Sequence, residues 1–481
     1  MKKLAGVVVI LALAAAGFTG VAYWSGMQAE RWYQDALAEG SKNPNIKFTT
    51  VSYERGLLSS RSVTRVQFAL PEGSASKETD PSFSIRQNIY HGPLPLAGWN
   101  APEVPMNWGG AVVRATLDPD SSAWTRELAK LYGGQEPIVA ISQVSFDGAS
   151  DTLIKMPPLT LSNVSDLQSL NFAGLQGQFQ VAPRGAAVRG RMTVANLDLT
   201  GKPTAGEGQP ASGGDTVKLS NLSLDVNQRK GIFNLMFGET SFRIGELRVQ
   251  AQATDTPVVA TNLTIATTES PQGAQQIAAD LVIKADQVSA ENRSGSGSLR
   301  LALRNLDGAT VLQLQQWQQK LAGKPDDPQA MDDLLKLIKA LLIGKPEFTL
   351  DTQAKLSEGA WQGKLVLNFQ DFDMMNSMRN PMGLLAMLEK GLADFTVSRA
   401  LLETELNHLT EGQAAQQIEG VTAAGFLRLE GDQYKSTARF EGGKLFVNDK
   451  EIPLPAAGES ASPEEEAPLA PEGGAEEPAQ Q

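Results

Sequence analysis

Two histidines, no cysteines and a few small groups of acidic residues are the side chains with any prospect of acid–base or metal chemistry here. His91 stands in Tyr90-His91-Gly92-Pro93. It could be a ligand or base at a loop edge, or a turn residue hydrogen-bonded to its neighbours before a tight Gly-Pro step, and the turn reading is favoured. His408 falls near the end of an expected helix, where a donor suits the free carbonyls. Two isolated histidines without a thiolate do not make a tetrahedral zinc site. Asp326-Asp327 and Asp332-Asp333 suit helix N-termini, and Asp371-Phe372-Asp373 lacks the glycine turn and distal glutamate of a calcium loop. No GxSxG elbow, no GxxxxGK[ST] phosphate loop and no GxGxxG after a strand occurs, and neither histidine has a triad motif around it. The sequence points to a non-catalytic protein with no cofactor and no metal.

The apolar residues say more. Lys2 and Lys3 precede an uncharged, mostly apolar run from Leu4 to Trp24, roughly the 20 residues that span a bilayer as a helix. Leu4, Val8, Ile10, Leu13, Phe18, Val21 and Trp24 are its expected membrane-anchoring residues, with Tyr23 and Trp24 as an interfacial aromatic pair. Ala14, Ala15, Ala16 and Gly17 leave a cleaved export signal as the alternative. The run continues beyond those residues, which favours an uncleaved anchor. The positive-inside rule puts the N-terminus in the cytoplasm and the bulk of the chain outside. A bare basic start suits a bacterial inner membrane, with a single span and a periplasmic ectodomain.

Without cysteines, an exported chain has no disulfides and must rely on apolar burial. The 481 residues are 41% hydrophobic but only 6% aromatic, with 45 glycines, which suits many short strands and turns. The net charge is −12, yet seven glutamates and no basic residue lie in residues 456–481, so the remainder is mildly acidic. Nothing resembles the basic stripe that nucleic acid requires.

Residues 27–39 are expected to continue the helix, with Trp32, Tyr33, Ala36 and Leu37 apolar and Gly40 and Pro44 as stops. Residues 48–53 and 62–68 alternate about a turn at 55–60, a hairpin pattern. Further strands are expected at 112–117 and 138–146, with a short helix near 122–131 between them. From Leu159 to about Asn305 short alternating runs recur between loops rich in Gly, Ser, Pro and Asn. A small motif recurs with them: Asn196-Leu197-Asp198-Leu199, Asn221-Leu222-Ser223-Leu224, Asn262-Leu263-Thr264-Ile265 and, weakly, Asn305-Leu306-Asp307. It fits an antiparallel meander whose strands open with an Asn turn. Helices are expected at 312–321, 330–342, 382–392 and 398–409, with strands at 347–355, 362–368, 426–430, 434–440 and 444–447. The expected fold is α+β and β-dominant. Elongated, twisted antiparallel sheets carry a few amphipathic helices and follow one N-terminal transmembrane helix. Residues 1–26 are the anchor, 27–43 a membrane-proximal helix, 44–455 the ectodomain and 456–481 a disordered acidic tail.

In order along the chain, the anchor with its helical continuation, Tyr53-Glu54-Arg55-Gly56-Leu57-Leu58-Ser59-Ser60, Ile89-Tyr90-His91-Gly92-Pro93, the block at 334–350 and the ending Glu441-Gly442-Gly443-Lys444-Leu445-Phe446-Val447-Asn448-Asp449 resemble the YdgA family of bacterial envelope proteins, a domain of unknown function. The resemblance reaches to about Leu454 and implies a membrane-anchored periplasmic protein without an assigned activity. The Gly56–Ser62 hairpin is also loosely similar to the opening of AsmA-type proteins, whose β-grooves are associated with lipids. Candidate contacts for an envelope protein or lipid partner are His91, Leu334 and Ile338 of an apolar helix face, and Met374, Met375 and Met378 of a methionine cluster. The leading expectation is a binding or scaffolding role at the membrane; the alternative is handling of a lipid or other apolar ligand in a β-groove.

Overall fold

The computed structural model describes residues 2–41, 46–68, 82–164, 166–203, 214–252, 256–322, 329–370, 385, 387–410 and 413–454, with the backbone alone at 2–17, 39 and 319–322. A long helix, α1 (Lys2–Gly40), is followed by β1 (Ile46–Arg55), β2 (Ser59–Phe68), β3 (Ser82–His91), β4 (Ala111–Leu117), α2 (Ala123–Leu131), β5 (Val139–Val144) and β6 (Ser150–Met156). The expected anchor and membrane-proximal helix are therefore one uninterrupted element. Among the described residues no helix is long and apolar enough to cross a membrane. The side chains of Leu4, Val8, Ile10 and Leu13 lie outside the described set.

The β-meander continues through β7 (Leu159–Val164), β8 (Leu167–Phe172), β9 (Leu175–Val181), β10 (Ala187–Gly201), β11 (Thr216–Lys230), β12 (Met236–Gln250), β13 (Val258–Gln272), β14 (Gln276–Ala290) and β15 (Arg293–Asp307). After α3 (Gly308–Ala322) and α4 (Ala330–Ile343) come β16 (Glu347–Leu356), β17 (Gly359–Phe369) and β18 (Leu388–Ser398). Then follow α5 (Arg399–Leu409), α6 (Ala414–Ala423), β19 (Arg428–Glu430), β20 (Gln433–Glu441), β21 (Lys444–Val447) and β22 (Lys450–Ile452). All described pairings are antiparallel and join one sheet; β8 and β9 share one edge of β10, each along half its length. Strands β10 to β15 are 15 residues each, roughly 50 Å at 3.4 Å per residue.

The helix expected at 382–392 is corrected: residues from Leu388 onward are β18, paired along β17 and β20. Leu388, Leu392 and Ala393 suited a helical pattern, but here the ladder with neighbouring strands overrides local propensity. β6, α6 and β22 were not foreseen. The methionine cluster and the acidic tail lie outside the described residues.

The recurring Asn residues do not open strands. Asn221, Asn262 and Asn305 sit inside strands with φ of +53°, +50° and +57°. Asn221 and Asn262 flank Gly245 on the intervening strand, so a crease crosses the long strands at one level. At this crease the apolar alternation slips by one residue, from Leu219 to Leu222, Leu247 to Ile244 and Ala260 to Leu263. The pairings show what the slip accomplishes. Leu247, Ala260, Val288 and Gly295 stand opposite one another in turn, as do Phe242, Ile265, Ile283 and Leu299. Gly295 and Leu299 are four apart on one strand and share a face. Leu247 and Phe242, five apart, therefore share that face too, which an unbroken strand forbids. On β14 an irregularity between Ala285 and Val288 does the same work.

One sheet face is apolar as a result, and the other carries ion pairs such as Arg300–Asp280 and Arg304–Asp280, both at 2.7 Å. At one end α3 covers the apolar face, where Val311 and Leu312 pack on Phe237, Ile277 and Leu306. At the other end α5 and α6 cover it, through a cluster of Val397, Leu401, Ile418 and Tyr434. A left-handed backbone costs a non-glycine residue about 1–2 kcal/mol, less for Asn. We predict that Asn221→Val lowers unfolding stability by about that amount and that Asn221→Gly costs less than half as much. Urea midpoints measure this, and equal losses would show that the left-handed conformation is not what selects Asn.

Candidate functional site

The N-terminal helix meets the sheet through small residues. Ala22, Ser25, Gly26, Ala29 and Tyr33 recur at helical spacing and are buried. Their size lets the helix axis approach the strands closely. A Cβ on Gly26 would lie 2.7 Å from His91 Cε1, so only glycine fits. His91 is 1% exposed; its Nδ1 lies 3.1 Å from the Ala22 carbonyl and its Nε2 3.2 Å from the Ser60 hydroxyl. Tyr33 Oη reaches Thr64 Oγ1 at 2.9 Å and Thr50 Oγ1 at 3.1 Å, and its ring lies 5.1 Å from that of Tyr53. Arg55 donates to Glu30 at 3.0 Å. The two sequence blocks around Tyr53–Ser60 and Ile89–Pro93 thus converge on one stretch of α1. His91 is an internal pin of that junction and lies away from any surface.

The apolar face supplies the second site. On it Phe242, Ile265 and Ile283 are more than a third exposed, while Ile244 and Ala260 beside the crease are buried. Nearer α5 lies a trough of about 830 Å³ between that helix and the ends of β12 to β18. Val249, Val258, Val288, Leu356, Trp361 and Phe395 form the sheet wall, and Leu402, Leu406 and Leu409 of α5 form the other. Trp361 and Phe395 meet edge to face at 6.3 Å. Gly295 and Gly297, opposite Leu356 and Ala354, keep the adjoining sheet surface low. A Cβ at Gly295 would lie 2.5 Å from Leu356 Cδ2. Arg293 closes one rim, donating to Glu358 at 3.0 Å and pairing with Glu405 of α5. The Ser357 hydroxyl, and then Arg293, hold the Glu358 carboxyl below the usual carboxylate range.

Glu269 stands opposite Ala279 on the same apolar face, and its Oε2 is buried without a partner. Burial pushes its carboxyl above the ordinary 4.5, opposed by the Thr267 hydroxyl. Nothing in the sequence marked it, because only the register puts it among leucines. Leu334 and Ile338 are half-buried on α4, which packs on α3, with Trp317 Nε1 donating to the Ala330 carbonyl at 3.1 Å. Neither joins the trough lining, and Met374, Met375 and Met378 fall outside the described residues. Among the described residues no group of three or more metal-ligating side chains gathers. The trough itself was missed because its walls come from strands far apart in sequence.

Residues 1–455 match a family described as bacterial protein of unknown function (DUF945). The chain belongs to this family. No curated protein and no solved structure matches it. Family membership carries no activity, and what this DUF945 protein does must be read from its own geometry.

Burial shifts His91 and Glu269 in opposite directions. Burial lowers His91 below its ordinary 6.5, against the pull of the Ala22 and Ser59 carbonyls. Its neutral form stabilises the junction fully above pH 6.5, and that contribution is lost as pH falls below it. The urea midpoint should drop between about pH 7 and pH 5, with a shallower slope in His91→Gln. An unchanged slope would refute the pin. Glu269, raised by burial, stabilises below its ordinary value and loses that contribution as pH rises. Glu269→Gln should raise the midpoint at pH 7 and lose its advantage toward pH 4, and a lowered midpoint at pH 7 would contradict the assignment.

Proposed function

We propose that this DUF945 protein is a non-catalytic, membrane-tethered protein of the bacterial envelope that holds lipid acyl chains, or an apolar ligand of like shape, on its sheet face. The observation that carries this is the apolar trough under α5, with Phe242, Ile265 and Ile283 exposed farther along the same sheet face. A monomer does not leave such a surface facing water without a use. The trough presents aliphatic and aromatic walls with its charges at the rim, which suits an acyl chain. A protein segment would bring backbone groups that this lining leaves without partners. That favours the groove reading over protein scaffolding.

The tether rests on the sequence. Ala22 is buried against the sheet, so the part of the run free to enter a bilayer is residues 4–21. As a helix these span roughly 27 Å, close to the hydrocarbon thickness. Lys2 and Lys3 orient the ectodomain away from the cytoplasm, into the periplasm.

A photoactivatable fatty acid incorporated into membranes carrying the full chain tests this reading. Crosslinks should map to β12 to β14 and to α5, and Val288→Glu, a half-exposed wall position, should reduce them by about tenfold. Labelling confined to residues 4–21, or unchanged by Val288→Glu, would overturn it.

A further inference from the structure

The direction of the strands beside α1 has a consequence for the molecule's near edge. Ile89 packs on Ala29, while His91 meets Gly26 and Ala22, so β3 runs toward the N-terminus of α1. The antiparallel ladder makes β1 and β5 run the same way. Three connections therefore lie on that side of the sheet: the β1–β2 turn and the base of the β3–β4 loop, which reach α1 at Tyr23 and Ala22, and the β5–β6 turn, which meets it farther along at Trp32. These connections expose apolar tips. Trp99 and Trp108 in the β3–β4 loop are each 73% exposed, and Leu57, Leu96 and Met106 are exposed beside them.

The loop is firmly held. Gly92 N donates to the Gly110 carbonyl and Gly109 N to the Pro93 carbonyl, each at 3.2 Å. A Cβ on Gly92, where φ is +121°, would lie 3.2 Å from Ala22 Cβ, which fixes the loop base against the helix. Trp108 meets Phe146 of the β5–β6 turn at 6.0 Å, and Trp99 follows Gly98, which lies on Tyr90 near the end of β3. Between Gly92 and Gly110 the only charged residue is Glu103, and it is paired with Lys155. On the helix itself Tyr23 and Trp24 are exposed at this level. Rigid loops bearing exposed tryptophan, little charge and an adjoining apolar helix are the chemistry of a bilayer interface, where an indole places its ring in the acyl boundary and its N–H among headgroups.

We propose that this edge, through Trp99, Trp108 and Met106, rests in the bilayer interface and sets the sheet at a fixed attitude to the membrane. The inference rests on the tether proposed above. With no native cysteine, Met106→Cys and, on the exposed polar face away from the trough, Thr268→Cys each accept a single bimane label on the full chain. The labelled chains are reconstituted in vesicles of phosphatidylethanolamine and phosphatidylglycerol containing headgroup-proximal spin-labelled lipid. Flotation reports the tether independently of the label. We expect flotation, with quenching at Met106→Cys at least about threefold above that at Thr268→Cys, and Trp99→Ala with Trp108→Ala removing most of the difference. Flotation with equal quenching at both sites, and free access of iodide to Met106→Cys, would overturn the edge contact and leave the tether standing. Failure to float would overturn both. Protection of Met106→Cys from lipid and iodide alike would mean that protein covers the edge, and would also overturn the proposal.

Discussion

An apolar sheet face in water must be covered, and everything distinctive about this protein follows from how it meets that constraint. A single antiparallel sheet has two faces. Ion pairs make one of them compatible with water, while apolar rows occupy the other across strands β10 to β18. The helices cover only its ends. α3 closes one end and α5 with α6 the other, and the rows between them stay half-exposed. With no cysteine available for cross-links, the same surface that stabilises the fold at the helical ends remains open in the middle.

The crease is what makes so long a face possible. Strands of 15 residues with a strict two-residue alternation would need an unbroken apolar pattern from end to end to keep one face apolar. A left-handed Asn rotates the chain by one residue and lets the pattern restart on the same side. Because Asn221, Gly245 and Asn262 are neighbours across the ladder, the restart is concerted between strands and pairing survives it. Gly245 also lies close to Asn221: a Cβ there would be 2.8 Å from Asn221 Cβ.

How much of this the sequence discloses depends on the range of the interaction. The hairpin at 48–68, the strands of the meander, α2 and helices α3 to α5 follow from local alternation, turn residues and helical periodicity, and the structure has them. The Asn motif was visible, but its role as a phase slip inside strands was not, because a slip is defined only by the partner strand. β18 was mistaken for a helix for the same reason. The helix–sheet junction depends on Ala22, Ser25, Gly26 and Ala29, which read as featureless small residues until His91, distant in sequence, fills the space they leave. The trough draws its walls from β12 to β18 and α5, so no local pattern announces it.

Tether, junction and apolar face form one physical chain: the helix that would enter the membrane is pinned by His91 and Tyr33 to the sheet that carries the groove. The central claim is that the groove is occupied by an apolar ligand. Native mass spectrometry of the full chain, released gently from bacterial membranes, tests it most directly. The account predicts discrete adducts of lipid mass retained on the intact chain at collision energies that strip detergent. A bare chain, or adducts confined to a protein partner, would contradict it.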